Sequence, residues 1–229
     1  MREPTEEQFL KDVSDHKMEV ALNQGTYRHV RFRSTKHGYN QWFDLVTWPG
    51  VLTISGDMGT WTFSRLPDMF EFFRGQKINP HYWAEKLQHG NYSGRQGGKV
   101  WDEDYFKERL LAKLKEVYEF KGKKLKEITE AIEDEVFRHN EGNKYAMLTA
   151  AYEFTYVFEA DQPKKPTSMR EQIAQIGKPS PKQFQFDGMD LPDGMVYSFH
   201  FIWCIYAIVW GIQQYDASTA APSEIPVAF

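Results

Sequence analysis

Two connections in this chain are too short for anything but a reversal. Residues 42–48 and 51–55 are joined through Trp48-Pro49-Gly50, and residues 51–55 and 60–64 through Gly56-Asp57-Met58-Gly59. A parallel crossover needs about a dozen residues or more, so these segments pair antiparallel. The turn chemistry agrees: Pro presets φ at the second position of a type II turn, and Gly supplies the positive φ that the third position requires. Upstream, Met18, Val20 and Leu22 alternate with polar residues, and Asn23-Gln24-Gly25 breaks that run. Val30 and Phe32 then alternate with His29, Arg31 and Arg33, the period of a strand with one face inward. The expectation is an antiparallel meander of five strands over about residues 17–64.

After residue 64 the pattern becomes helical. Thr5 and Gln8 predict a short opening helix through a capping box, Pro67 with Asp68 and Glu71 predict a helix stopping at Gly75, and Asn79-Pro80 predicts one running to about Gly90. Four glycines within residues 89–99 mark a loop. Asp102 caps a stripe of Phe106, Leu110, Leu114 and Val117, and Leu125, Ile128, Ile132 and Val136 form a second stripe. Asn143 caps a third helix, residues 162–166 act as a breaker, and Ser168 with Glu171 predicts a short helix to Gly177, followed by a polar loop with Pro179 and Pro181. Residues 195–215 are apolar nearly all round, as in a helix buried in a core. The fold class is therefore α+β. It reads as one domain over residues 1–216, with a sheet and then helices over about 65–216, and a poorly ordered tail at 217–229.

Composition narrows the function classes. The net charge is −4 over 229 residues, which argues against coating nucleic acid by bulk positive charge. The single Cys204 allows no internal disulfide and no multi-cysteine zinc site. Residues 1–15 are charged and lack the apolar core of a signal peptide, and the apolar run 199–212 is too short to span a bilayer. A cytoplasmic protein away from the membrane is expected.

Chemistry-bearing residues concentrate in the meander. No acidic residue occurs between Glu19 and Asp44, whereas Arg28, His29, Arg31, Arg33, Lys36 and His37 all fall there. On a strand, His29, Arg31 and Arg33 share a face and form a row about 13 Å long. Such a row clamps phosphates or carboxylates, or else is a solvated face balanced by acids such as Glu127, Glu130 and Glu133 to Glu135. Trp42, Asp44, Val46 and Trp48 share one face of the next strand, and Phe43 and Leu45 the other. Either Phe43 and Leu45 alone pack inward, leaving Trp42 and Trp48 beside the arginines as a stacking surface, or helices or a second copy cover both faces. Asp44 and Asp57 are the weak catalytic candidates. Asp57 sits between two glycines, which also suit a plain hairpin tip. Glu135 and His139 lie four apart on a helix, but no second such pair appears, so no metal and no cofactor is expected. His200 and Cys204 fall in the apolar last helix and read as core.

Two segments carry a resemblance. Residues 42–50 continue through Gly56-Asp57-Met58-Gly59 to Asp68-Met69-Phe70-Glu71-Phe72-Phe73-Arg74, and residues 200–216 include Trp203, Ala207-Ile208-Val209-Trp210-Gly211 and Gln214-Tyr215-Asp216. With the Asn79-Pro80 helix they resemble a family of uncharacterised proteins encoded by tailed bacteriophages and prophages. The resemblance brings no catalytic residues. It implies a protein made in the cytoplasm of an infected bacterium, of the kind that binds and inhibits a host or anti-phage defence component without catalysis. The target would be a protein complex or an anionic nucleotide signal, met through His29, Arg31, Arg33, Trp42 and Trp48. The competing readings are a nucleotide- or nucleic-acid-processing enzyme and a nucleic-acid-binding protein. Self-association is compatible with each.

Overall fold

The computed structural model describes residues 3–75, 77–90, 97–158, 168–170 and 183–220. The breaker at 162–166, the helix expected up to Gly177, the polar loop with Pro179 and Pro181, and the tail beyond Ala220 lie outside the described residues. The chain divides into two compact units where one domain was expected over residues 1–216. One unit holds Met1–Val100 with Val196–Phe229, and the other holds Trp101–Met195. Each unit has its own hydrophobic core.

The first unit opens with α1 (Glu6–Asp12), whose N-cap Thr5 accepts a hydrogen bond from the Gln8 amide. A six-strand antiparallel meander follows in chain order: β1 (His16–Gln24), β2 (Tyr27–Ser34), β3 (Phe43–Trp48), β4 (Val51–Gly56), β5 (Gly59–Ser64) and, after two short helices, β6 (Leu87–His89). Burial alternates along β2 to β5 except at the β4–β5 turn. Arg28, Val30, Phe32, Phe43, Leu45, Leu52, Ile54, Trp61 and Phe63 point inward, and their neighbours point out. Gly50 takes φ +83, as the Pro-Gly turn requires.

The inner face is covered by α7 (Phe199–Ala220), which carries Ile202, Trp203, Ile205, Ile208 and Ile212 into the core. Gly211 sets the approach of this helix. A Cβ there would stand 2.8 Å from Leu45 Cδ1 and 3.1 Å from Phe32 Cε2. Trp203 is fully buried, packs edge-on to Phe9 and Phe43, and donates its indole N–H to Asp12 at 3.0 Å. Helix α7 begins at Ser198, whose hydroxyl accepts from the Phe201 amide, and it runs through Ala220. It thus starts later than expected and takes in residues 217–220, which were assigned to the tail.

Three expectations are corrected. The helix starting at Asn79-Pro80 is α3 (Pro80–Ala84) and does not reach Gly90. Trp83 anchors it in the core, and the Lys86 carbonyl accepts the Ser64 amide at 3.1 Å, turning the following residues into the sixth strand. Helix α2 is Met69–Phe73, capped by Asp68, so Pro67 lies outside it. In β1 the register slips between Val20 and Leu22. The bulge sends Leu22 to the opposite face from Val20.

The second unit is entered along β7 (Lys99–Trp101) and left along β10 (Met195–Tyr197). It contains α4 (Glu103–Glu116), α5 (Gly122–Ile132), a π-helical turn over Glu133–Arg138, α6 (Lys144–Glu153), and the antiparallel pair β8 (Thr155–Tyr156) and β9 (Phe184–Gln185). Phe106, Leu110, Leu114, Ile128, Ile132 and Val136 fill its core. Val117, expected in that stripe, caps α4 and is exposed. Among the described residues no helix is long and apolar enough to cross a membrane.

Candidate functional site

The outer row of the sheet contains every binding candidate that lies on a strand. Its side chains are half-buried or exposed, and none belongs to the hydrophobic core. The row divides into two halves of different chemistry. Over β4 and β5 it is neutral: Thr53 and Thr62 pair their hydroxyls at 3.0 Å, and Ser55 and Thr60 do the same. Over β1 to β3 it is charged and aromatic.

The charged half is organised by Asp44. Its Oδ2 lies 2.8 Å from His29 Nε2, and its Oδ1 lies 2.6 Å from Arg33 Nη1. Oδ1 is buried and off line for a hydrogen bond, so the Arg33 contact is an ion pair by proximity. Arg33 also donates to the carbonyls of Phe32 at 2.9 Å and Phe43 at 3.1 Å, and its guanidinium stacks 4.5 Å over Trp42. His29 and Arg33 therefore hold β2 to β3, and the unbroken arginine row is corrected: a carboxylate from the neighbouring strand stands within it. Arg28 leaves the patch altogether, because it points to the inner face.

Arg31 is held differently. Its cross-strand neighbour is Asp44, yet its guanidinium turns to Glu19, at 3.4 and 3.5 Å. Those distances exceed the roughly 2.8 Å of a tight charge-assisted bond. The Arg31 and Glu19 side chains are 39% and 64% exposed, and a pair of this kind contributes about 0–1 kcal/mol. Arg31 is thus a cation ready to exchange its partner. Trp48 is 41% exposed on the same row, beside Val51 of β4. It lies four residues along β3 from Asp44, and so about 13 Å from the level of Arg31.

Asp57 is occupied by the backbone. It accepts the Gln41 amide at 2.9 Å, and its own amide donates to the Trp42 carbonyl at 3.0 Å. A Cβ on Gly56 would stand 2.1 Å from that same carbonyl, so this glycine serves close packing of the loop on the hairpin. Glu135 and His139 are both exposed, and among the described residues no group of three metal-ligating side chains forms. Cys204 is fully buried, and desolvation pushes its thiol far above the usual range. His200 is half-buried.

Sequence reasoning missed the inner ion pairs. Arg28 forks onto Asp68 through two bonds of 2.8 Å and lies 4.7 Å over the Phe70 ring. The Arg28 hydrogen bond holds the Asp68 carboxyl below the ordinary carboxylate range, against a smaller opposing push from desolvation. Arg74 forks onto Asp216 at 2.7 and 2.9 Å, and Tyr215 meets Phe70 edge-on. Through Asp68, Phe70, Arg74, Tyr215 and Asp216, the segments 68–74 and 200–216 hold each other. A groove of about 500 Å³ between α1 and α7 also went unread; Phe9, Leu10, Tyr206 and Trp210 line it together with Glu6 and Lys77. Comparison with family models, with curated proteins and with solved structures finds no match.

Proposed function

We propose that this is a non-catalytic binding protein whose outer sheet face engages an acidic surface on a partner protein. The observation that carries this reading is the spacing of Arg31 and Trp48. A loosely held arginine and an exposed tryptophan lie on one pleated face, at levels about 13 Å apart along the strands. A protein surface spans both positions readily. Arginine and tryptophan are also the residue types that dominate binding energy at such surfaces.

Following the resemblance, the partner is a host or anti-phage defence protein met in the cytoplasm of an infected bacterium. The enzyme reading would rest on Asp44 and Asp57; both oxygens of Asp44 lie against His29 and Arg33, and one oxygen of Asp57 accepts the Gln41 amide. In the test, the protein is expressed in bacteria that each carry one defence system, and the cells are challenged with phage. Wild-type protein should restore plaque formation against one system, and the double change Arg31→Ala with Trp48→Ala should abolish the rescue while the protein stays folded. Rescue undiminished by the double change, or turnover of a nucleotide by the purified protein, contradicts the reading.

A further inference from the structure

The two edges of the meander are unlike. β6 has only three residues, a length that blunts an edge against further pairing. β1 has nine, among the described residues no strand lies on its outer side, and Val20 and Leu22 on it are 39% and 40% exposed. A long edge of this kind is a template for another strand. The composition of β1 specifies which strand.

The direction of the unpaired groups follows from one hydrogen bond. The Thr35 amide donates to the Asp15 carbonyl at 3.2 Å, so Asp15 faces β2. Alternation along an antiparallel ladder then turns the main-chain groups of Lys17 and Glu19 toward β2 as well, and those of His16, Met18 and Val20 outward. The His16 amide is already taken by the Val13 carbonyl at 3.0 Å, and the bulge after Val20 ends the outward row at the other side. What remains available is a short segment centred on Met18.

We infer that β1 pairs antiparallel with β1 of a second copy of this chain, about a two-fold axis at Met18. In this register the Met18 amide and carbonyl bond to those of Met18 in the other copy, and each Val20 amide reaches the His16 carbonyl across the axis. Lys17 of each copy faces Glu19 of the other at the non-hydrogen-bonded sites, where side chains come closest. Shifting the axis to Lys17 or to Glu19 sets like charges opposite each other. The two charges that would repel an arbitrary strand therefore select this one register. The contact is small, and its strength belongs to the weak, concentration-dependent class. It goes beyond the target-binding reading and does not depend on it.

Sedimentation velocity of the full chain, from micromolar to near-millimolar concentration, tests this. Wild type should shift from monomer toward dimer. Lys17→Glu and Glu19→Lys should each weaken association by about tenfold, through two like-charge contacts made by symmetry. The double exchange Lys17→Glu with Glu19→Lys should restore it, because the opposite charges again face each other. Met18→Pro should leave a folded monomer, since proline is tolerated where the edge amide faces outward. Both charged residues are exposed, so the charge variants read association rather than folding. A wild type that stays monomeric throughout, or charge variants that associate as it does, overturns the pairing.

Discussion

Arg28 and Arg31 lie on the same strand, on opposite faces of one sheet. Arg28 is buried, forked onto Asp68 at 2.8 Å and close to the Phe70 and Tyr215 rings. Arg31 reaches a mostly exposed Glu19 at 3.4 Å and is itself 39% exposed. The charge is the same, and the surroundings decide what it contributes. Removing one partner of a buried pair strands the other in a poor solvent. Removing one partner of an exposed pair returns the other to water at almost no cost. The Arg28 pair therefore contributes to the fold, whereas Arg31 on the outer face can be lost at little cost to it.

The largest expected effect tests the inner side of this comparison. Trp203→Ala should destabilise the protein by about 4 kcal/mol in denaturant melts, from the cavity left between Phe9 and Phe43 and the lost bond to Asp12. A near-wild-type melt would mean that α7 does not secure the sheet.

A smaller effect appears in acid. The Asp68 carboxyl is held low by Arg28, so the folded state binds this proton less readily than the unfolded chain does. The stability contributed by the pair is present above the ordinary aspartate range and is lost as pH falls through the lowered folded value. Melts from pH 7 down toward pH 2 should show this loss, and Asp68→Asn should flatten that part of the profile. An unchanged profile would mean that the Arg28 fork contributes little.

The comparison also shows what the sequence makes legible. Alternation at His29, Val30, Arg31, Phe32 and Arg33 exposes the two faces of β2, because strand geometry is local. The turns at Pro49-Gly50 and Gly56 to Gly59 and the caps at Thr5, Asp102 and Asn143 are local in the same way. The partners of the charges are not. Asp44 enters the arginine row only through the register of β2 on β3. Asp68 reaches Arg28 across 40 residues, and Asp216 reaches Arg74 across 142. A window without acids in sequence is thus no guide to an absence of acids in space. The sixth strand was hidden for a related reason: the start signal at Asn79-Pro80 is real, but Trp83 and the Lys86 carbonyl end the helix through contacts with the core and with β5.

The most direct measurement sets the two arginines side by side. Arg28→Ala and the double change Arg31→Ala with Trp48→Ala would be compared with wild type in urea melts under identical conditions. Arg28→Ala should cost about 3 kcal/mol, because it leaves the Asp68 carboxylate at the inner face without its partner. The double change should cost clearly less, about 1 kcal/mol, from the covered part of the Trp48 ring, while losing target binding. Equal destabilisation by both would contradict the division of the sheet into a face that holds the fold and a face that binds.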